Sequence, residues 1–246
     1  MEDHEVAGLL ARETGELLVK TREEAQTAGR AGREVQALGD RVAHEFLIER
    51  LSALRPGDAV LSEEGADDGL RLGAERTWII DPLDGTHDYG RPGSSEWAVH
   101  VALVVGGTST AAAVSLPVDN QVFGTNQSPL GRPSLRQQPV VITSRSQWGE
   151  AEEVARAIGG VVRACGSAGY KAMAVVSGLV DVYVHPSGLY EWDACAPAAV
   201  AQAAGLSVSG VDGQPLHFNK RRPVVAGLLI SRPEFAEVSR QALAWE

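Results

Sequence analysis

The chain has 246 residues, 44% hydrophobic and 22% charged, enough to bury a sizeable core as one large α/β domain or two smaller ones, and its composition excludes a disordered or fibrous chain. Against 22 Lys and Arg stand 32 Asp and Glu, a formal charge of −10 that sets the surface against nucleic acid polymers and anionic membranes and toward a small ligand. Only Cys165 and Cys195 are present, too few for a secreted disulfide framework, and MEDHEVAGLLARETGELLVKTREEA at the N-terminus lacks the basic start and apolar run of a signal peptide, so a reducing cytoplasm is the expected setting.

Val6, Leu9, Leu10, Leu17 and Leu18 fall at helical spacings, and Val42, Phe46, Leu47, Leu51 and Leu54 repeat the pattern before the stop at Arg55-Pro56-Gly57, predicting two amphipathic helices. Between them TAGRAGREVQALGD mixes glycine and charge and reads as an irregular connection. From residue 59 short apolar runs bounded by turn residues predict strands: AVLS at 59–62, TWIID at 77–81, WAVHVALVV at 97–105, TAAAVSLP at 110–117 and VFGT at 122–125. The turn at Gly106-Gly107 makes the third and fourth a hairpin, so this sheet is expected to be antiparallel or mixed. The polar, Pro-rich segment 126–139 is the expected boundary between a helix-plus-sheet unit, 1–132, and an α/β unit, 133–246. In the second unit PVVITS, GGVVRA, DVYVH and VAGLLIS alternate as strands with the helical stretches EAEEVARAI, AGYKAMAVVSG and DACAPAAVAQAAG. The fold class is α/β, with an α+β N-terminal half. The apolar run Val99 to Val105 is too short to span a bilayer, and no membrane is expected as a partner.

The most informative string is Trp78-Ile79-Ile80-Asp81-Pro82-Leu83-Asp84-Gly85-Thr86, in which an apolar strand runs into two carboxylates, a proline, a glycine and a threonine. A turn can aim Asp81, Asp84 and the Leu83 carbonyl at one hard cation, which prefers oxygen ligands. Gly85 lets the backbone approach an anion, and Thr86 supplies a hydroxyl where a short helix begins, a natural phosphate seat. A bare D-x-x-D-G is more often a plain capped turn; the added Pro and Thr, and the strand before them, make the longer string specific. Val60-Leu61-Ser62-Glu63-Glu64 and Glu191-Trp192-Asp193 also deliver acids at strand ends. Taken singly, Glu63-Glu64 reads as a solvated loop and Asp193 as an N-cap; together the three clusters form a constellation.

These strings, in this order, resemble the inositol monophosphatase superfamily of metal-dependent, lithium-sensitive phosphatases, in which SEE or GEE, DPLDGT or DPIDGT, and WD motifs recur. The resemblance covers nearly the whole chain. Within the superfamily, Val60-Leu61-Ser62-Glu63-Glu64, Gly166-Ser167-Ala168-Gly169-Tyr170-Lys171 and Glu191-Trp192-Asp193-Ala194 are most similar to the CysQ-type 3'(2'),5'-bisphosphate nucleotidases. It implies an αβαβα layered sandwich. It also implies two or three Mg²⁺ held by Glu63, Asp81, the Leu83 carbonyl, Asp84 and Asp193, with Asp40 near a further metal and Thr86 orienting the attacking water. Ser167 and Lys171, four residues apart at a helix start, resemble the residues that meet the nucleotide in that branch, with an N-cap and a solvated lysine as the plain alternatives. His185, ending DVYVH, stands where it reaches a second phosphate or is simply a strand-end surface histidine. Gly85 and Glu191 complete the expected substrate side. His100, inside an apolar strand, reads as a satisfied core residue, and Cys195 as a small packed side chain. One departure is Asp88, where relatives usually carry Glu or Asn, which bears on substrate choice and not on the metal.

The expected activity is Mg²⁺-dependent hydrolysis of the 3'-phosphate of adenosine 3',5'-bisphosphate to AMP, extending to its 5'-phosphosulfate relative in sulfate assimilation. An inositol monophosphatase or fructose 1,6-bisphosphatase at the same metal site is the enzymatic alternative. A non-catalytic phosphate-binding protein is a third, which the presence of Asp40, Glu63, Asp81, Asp84, Asp193 and Thr86 together disfavours.

Overall fold

The computed structural model describes residues 1–127 and 137–243. Two long helices, α1 (Asp3–Thr27) and α2 (Arg33–Leu54), precede a five-stranded sheet of β1 (Ala59–Ser62), β2 (Arg76–Asp84), β3 (Ala98–Val105), β4 (Thr108–Leu116) and β5 (Gln121–Gly124), ordered β1-β2-β3-β4-β5. The β1–β2 pair is parallel and the rest are antiparallel, the mixed sheet expected. A short helix, α3 (Thr86–Tyr89), follows β2 directly.

The second half contains β6 (Val140–Thr143), α4 (Trp148–Ile158), β7 (Val161–Ala164), α5 (Ala168–Val176), β8 (Val182–His185), β9 (Leu189–Tyr190) and α6 (Glu191–Ala203). It continues with β10 (Ser207–Ser209), β11 (Val224–Val225), β12 (Leu228–Ser231) and α7 (Ala236–Leu243). Its sheet runs β10-β12-β8-β6-β7, and β9 pairs with β11 separately. The helix α7 and the short strands β9 and β10 lie outside the segments predicted from sequence, and the predicted strand VAGLLIS divides, Val225 pairing in β11 and Leu228–Ser231 forming β12. The expected boundary at 126–139 falls largely on residues 128–136, outside the described residues.

Side-chain alternation makes the layers. Along β2 and β3, Trp78, Ile80, Val99, Val101 and Leu103 pack with Val6, Leu10, Leu18 and Leu47 of α1 and α2. Ile79, Ala98, Ala102 and Val104 face the other way, into a core shared with Ala172 and Met173 of α5 and with Ala194, Ala198 and Ala201 of α6. Small side chains on α5 and α6 let these helices lie close between the two sheets. On the far side of the second sheet Val141, Val182 and Val184 meet Val154 of α4 and Leu243 of α7. The order is therefore α1/α2, sheet, α5/α6, sheet, α4/α7, the αβαβα sandwich.

One expectation is corrected. The segment 27–40 is not an irregular connection, because α2 begins at Arg33 and only residues 28–32 link the helices. Glu34, Gln36, Ala37 and Leu38 are good helix formers, and the buried face is marked by Val35 and Gly39, one of which carries no side chain to reveal the period. Among the described residues, no helix is long and apolar enough to cross a membrane.

Candidate active site

Strand β2 carries its alternation into the motif, so Asp81, like Ile79, points between the sheets, opposite His100 on β3. The Leu83 amide donates to Asp81 Oδ1 at 3.0 Å, the short-range turn that bends the strand end. Gly85 then adopts φ +88°, and a Cβ there would stand 2.8 Å from the Glu96 carbonyl. That turn needs glycine on both counts.

Asp84 swings across to the second half. Its carboxylate accepts from Ser167 Oγ at 2.5 Å, from the Gly169 amide at 2.6 Å and from the Ala168 amide at 3.2 Å, seating it on the N-terminus of α5. Ser167 also accepts from the Tyr170 amide, so the N-cap reading holds and the same hydroxyl serves the acid. Asp193 is not an N-cap: Tyr190 holds that position, and Asp193 lies inside the first turn of α6, where the helix dipole favours an acid. Asp81, Asp84 and Asp193 thereby bring ligand atoms within 4.8 Å of one another. Glu63 follows β1 directly, close enough for its charge to act on Asp81.

Asp40 comes from α2. A Cβ on the preceding Gly39 would lie 2.5 Å from the Tyr89 ring, so the bare backbone is what lets α2 approach α3. Thr86 Oγ1 then lies 3.1 Å from both Asp40 Oδ1 and the Leu83 carbonyl, donating its one proton between two acceptors.

The charges are strained in one direction. Burial, then the charges of Glu63, Asp84 and Asp193, pushes Asp81 well above the usual carboxylate range. Asp193 is raised to about 7 by burial and by Asp84 and Glu63, Glu63 to about 7 by burial and its acidic neighbours, and Asp40 to about 6 by burial and Glu64. Asp84 is the exception, since burial is outweighed by His100 and Ser167 and the group falls to about 2. Buried Asp81 Oδ2 finds no hydrogen-bond donor among the described residues. A buried oxygen without a donor amid carboxylates that resist ionisation fits a hard cation, which prefers oxygen ligands.

The other expected residues sit further out. Lys171 is buried, its ammonium donating to the carbonyls of Gly166 at 2.7 Å and Cys165 at 3.3 Å and standing over the Tyr183 ring, so it is not a solvated lysine. His185 Nδ1 is 3.4 Å from Ser144 Oγ, and burial with the Lys171 charge pulls its pKa down to about 4. Glu191 accepts from the amides of Asn219 at 2.6 Å and Lys220 at 3.1 Å, which occupies both oxygens. Asp88 is buried and accepts from Arg91 and from Arg145. The sequence reading missed Arg145, which bridges Asp88 and Glu96, and His44, whose Nδ1 lies 2.9 Å from Ser62 Oγ beside Glu63. It also missed that His100 touches Asp84, at 3.2 Å. All three lack a motif, because their partners are remote in sequence.

Five layers enclosing a carboxylate centre, with a threonine and a helix N-terminus beside it, define a class of hydrolase-type metal sites built for phosphate. The comparisons agree with the geometry: the family model described as the inositol monophosphatase family matches residues 2–244. The chain belongs to the inositol monophosphatase family. It is 42% identical over 260 residues to a 3'-phosphoadenosine 5'-phosphate phosphatase of Mycobacterium leprae, covering 97% of this chain and 92% of the relative. A 3'(2'),5'-bisphosphate nucleotidase CysQ of Escherichia coli O157:H7 is 28% identical, covering 86% of this chain and 92% of that protein. The solved structure of CysQ from Bacteroides thetaiotaomicron superposes with a TM-score of 0.78 at 25% identity, over 93% of this chain and 96% of that one.

Proposed function

We propose that the protein is a Mg²⁺-dependent phosphatase that removes the 3'-phosphate of adenosine 3',5'-bisphosphate to give AMP, acts likewise on the 5'-phosphosulfate relative, and serves sulfate assimilation in the cytoplasm. The observation that carries the reading is the 42% identity, across nearly both full lengths, to a phosphatase named for that nucleotide. It is supported by the complete acid set, drawn from both halves of the chain, 1–132 and 133–246. Glu63, Asp81, Asp84, Asp193 and the Leu83 carbonyl are the oxygens that would hold two or three Mg²⁺.

When bound, Mg²⁺ supplies the charge that neutralises the phosphoryl oxygens and acidifies a water for in-line attack. The chain's own groups do the positioning. Thr86 Oγ1, its proton engaged by Asp40 and Leu83, keeps a lone pair for a hydrogen of the incoming water. Asp40, raised to about 6, is a better base than an ordinary carboxylate and receives the proton passed through Thr86. Ser167 is engaged on both sides, by Asp84 and by the Tyr170 amide, so its oxygen acts as a cap and not as a nucleophile. On the substrate side Gly85, Thr86 and Ser167 adjoin the cluster, while Lys171, His185 and Glu191 are held by their own protein partners.

Phosphate release from adenosine 3',5'-bisphosphate, inositol 1-phosphate and fructose 1,6-bisphosphate tests the choice of substrate. The expected result is a kcat/KM about 100-fold higher for the nucleotide, roughly what a few charge-assisted contacts supply. An equal or better inositol 1-phosphate would move the enzyme to the inositol or sugar phosphatases.

A further inference from the structure

We infer that His100 is a positioning residue for the acidic cluster: its imidazole ties the Asp84 carboxylate to the Trp192 carbonyl at the start of α6, fixing the two halves of the cluster against each other. The inference rests on the reading that this cluster takes Mg²⁺.

Alternation along β3 sends Val99 and Val101 toward α1 and α2 and sends His100, with Ala98 and Ala102, between the sheets. There the ring is wholly buried. A polar ring is costly in such a place unless its nitrogens face polar groups. Nδ1 is hydrogen-bonded to the Trp192 carbonyl at 3.0 Å, and Nε2 stands 3.2 Å from Asp84 Oδ2, a charge contact outside hydrogen-bond geometry. The ring therefore touches a different part of the chain at each nitrogen. Asp193 follows Trp192 directly, so the imidazole spans the gap between the β2 acids and the α6 acid.

An independent observation shows that the fold makes room for this ring. A Cβ at Gly169 would stand 2.1 Å from His100 Nε2 and 2.9 Å from the Ala98 side chain. Gly169 is also the residue whose amide holds Asp84. The first turn of α5 is therefore shaped to accept the ring and the acid together. A histidine that only filled the core would need neither polar contacts on two ligand-bearing elements nor this room opposite its outer nitrogen.

The test is Mg²⁺ binding to the whole chain by titration calorimetry, without substrate, together with kcat and the Mg²⁺ dependence of turnover. His100→Ala is expected to weaken Mg²⁺ about 10- to 100-fold, the usual cost of removing a group that orients a ligand, while kcat at saturating Mg²⁺ stays within about threefold. His100→Gln, which retains one donor, should recover part of the affinity. Val101→Ala, two residues along β3 and facing α1 and α2, should lose packing and leave Mg²⁺ affinity unchanged. If His100→Ala does not fold, Gly169→Ala, which drives a methyl group into the ring, is expected to give the same weakening with the imidazole still present. Mg²⁺ affinity within about threefold of wild type in the variant that folds, or a loss matched by Val101→Ala, overturns the inference while wild-type binding leaves the metal reading intact. A wild-type protein that binds no Mg²⁺ overturns both.

Discussion

Asp81 and Asp84 share one turn and bear different loads. Asp84 is the acceptor on which α5 begins, meeting Ser167, Ala168 and Gly169, whereas one oxygen of Asp81 has no donor and three acidic neighbours. Replacing each by Asn should therefore separate stability from activity. Asp84→Asn is expected to destabilise the metal-free protein by about 2 kcal/mol, since an amide offers hydrogens where donors already point. Asp81→Asn keeps the Leu83 contact and removes the cost of holding a buried acid uncharged among acidic neighbours, so the metal-free protein is expected to gain about 1 kcal/mol, the usual exchange of activity for stability at a strained site. Both should abolish phosphate release and the Mg²⁺-induced rise in melting temperature. Thermal unfolding in chelator that showed both variants destabilised alike would contradict the division of roles. The motif made these acids legible as a pair, because chain-local chemistry is written in consecutive residues. Their different environments were not legible, since Ser167 and Gly169 stand more than eighty positions away. For the same reason His100 reads from its apolar strand as a core residue, which it is, while its contact with Asp84 appears only once β3 pairs with β2.

At the scale of elements, the site depends on how closely α2 approaches the turn after β2. Gly39→Ala puts a methyl 2.5 Å from the Tyr89 ring and 2.9 Å from Leu83, so α2 must retreat and carry Asp40 away from Thr86. The expected cost is about 1–3 kcal/mol in stability, with a fall in kcat larger than any change in KM. Gly8→Ala is the counterpart: it lies within α1 with nothing near its absent Cβ, and should add about 0.5–1 kcal/mol with activity unchanged. Chemical denaturation and steady-state kinetics on the two variants check the contrast; equal effects would show that the approach of α2 does not set the site. The strongly periodic helices and alternating strands could be read from sequence. The start of α2 could not, because its buried face includes a glycine, which hydrophobic periodicity scores as neutral. The two- and three-residue strands β9, β10 and β11 owe their existence to partners that approach from elsewhere in the chain.

At the scale of the molecule, the acidic cluster lies where the two sheets and the α5/α6 layer converge, so the cation would be held from both halves at once. That explains why an overall charge of −10 is compatible with a phosphorylated substrate: the charge near the reaction is set locally, by carboxylates that gather positive charge and by the N-terminus of α5. The alternation of strands and helices pointed to α/β layers and the family resemblance implied their order, while the meeting of Asp193 with Asp81 and Asp84 required the folded chain. The most direct measurement of the central claim is chromatographic analysis of adenosine 3',5'-bisphosphate incubated with protein stripped by chelator, before and after a Mg²⁺ titration. AMP should be the nucleotide product, absent without Mg²⁺ and rising with its concentration to saturation. Undiminished hydrolysis in excess chelator, or adenosine 3'-phosphate in place of AMP, would contradict it.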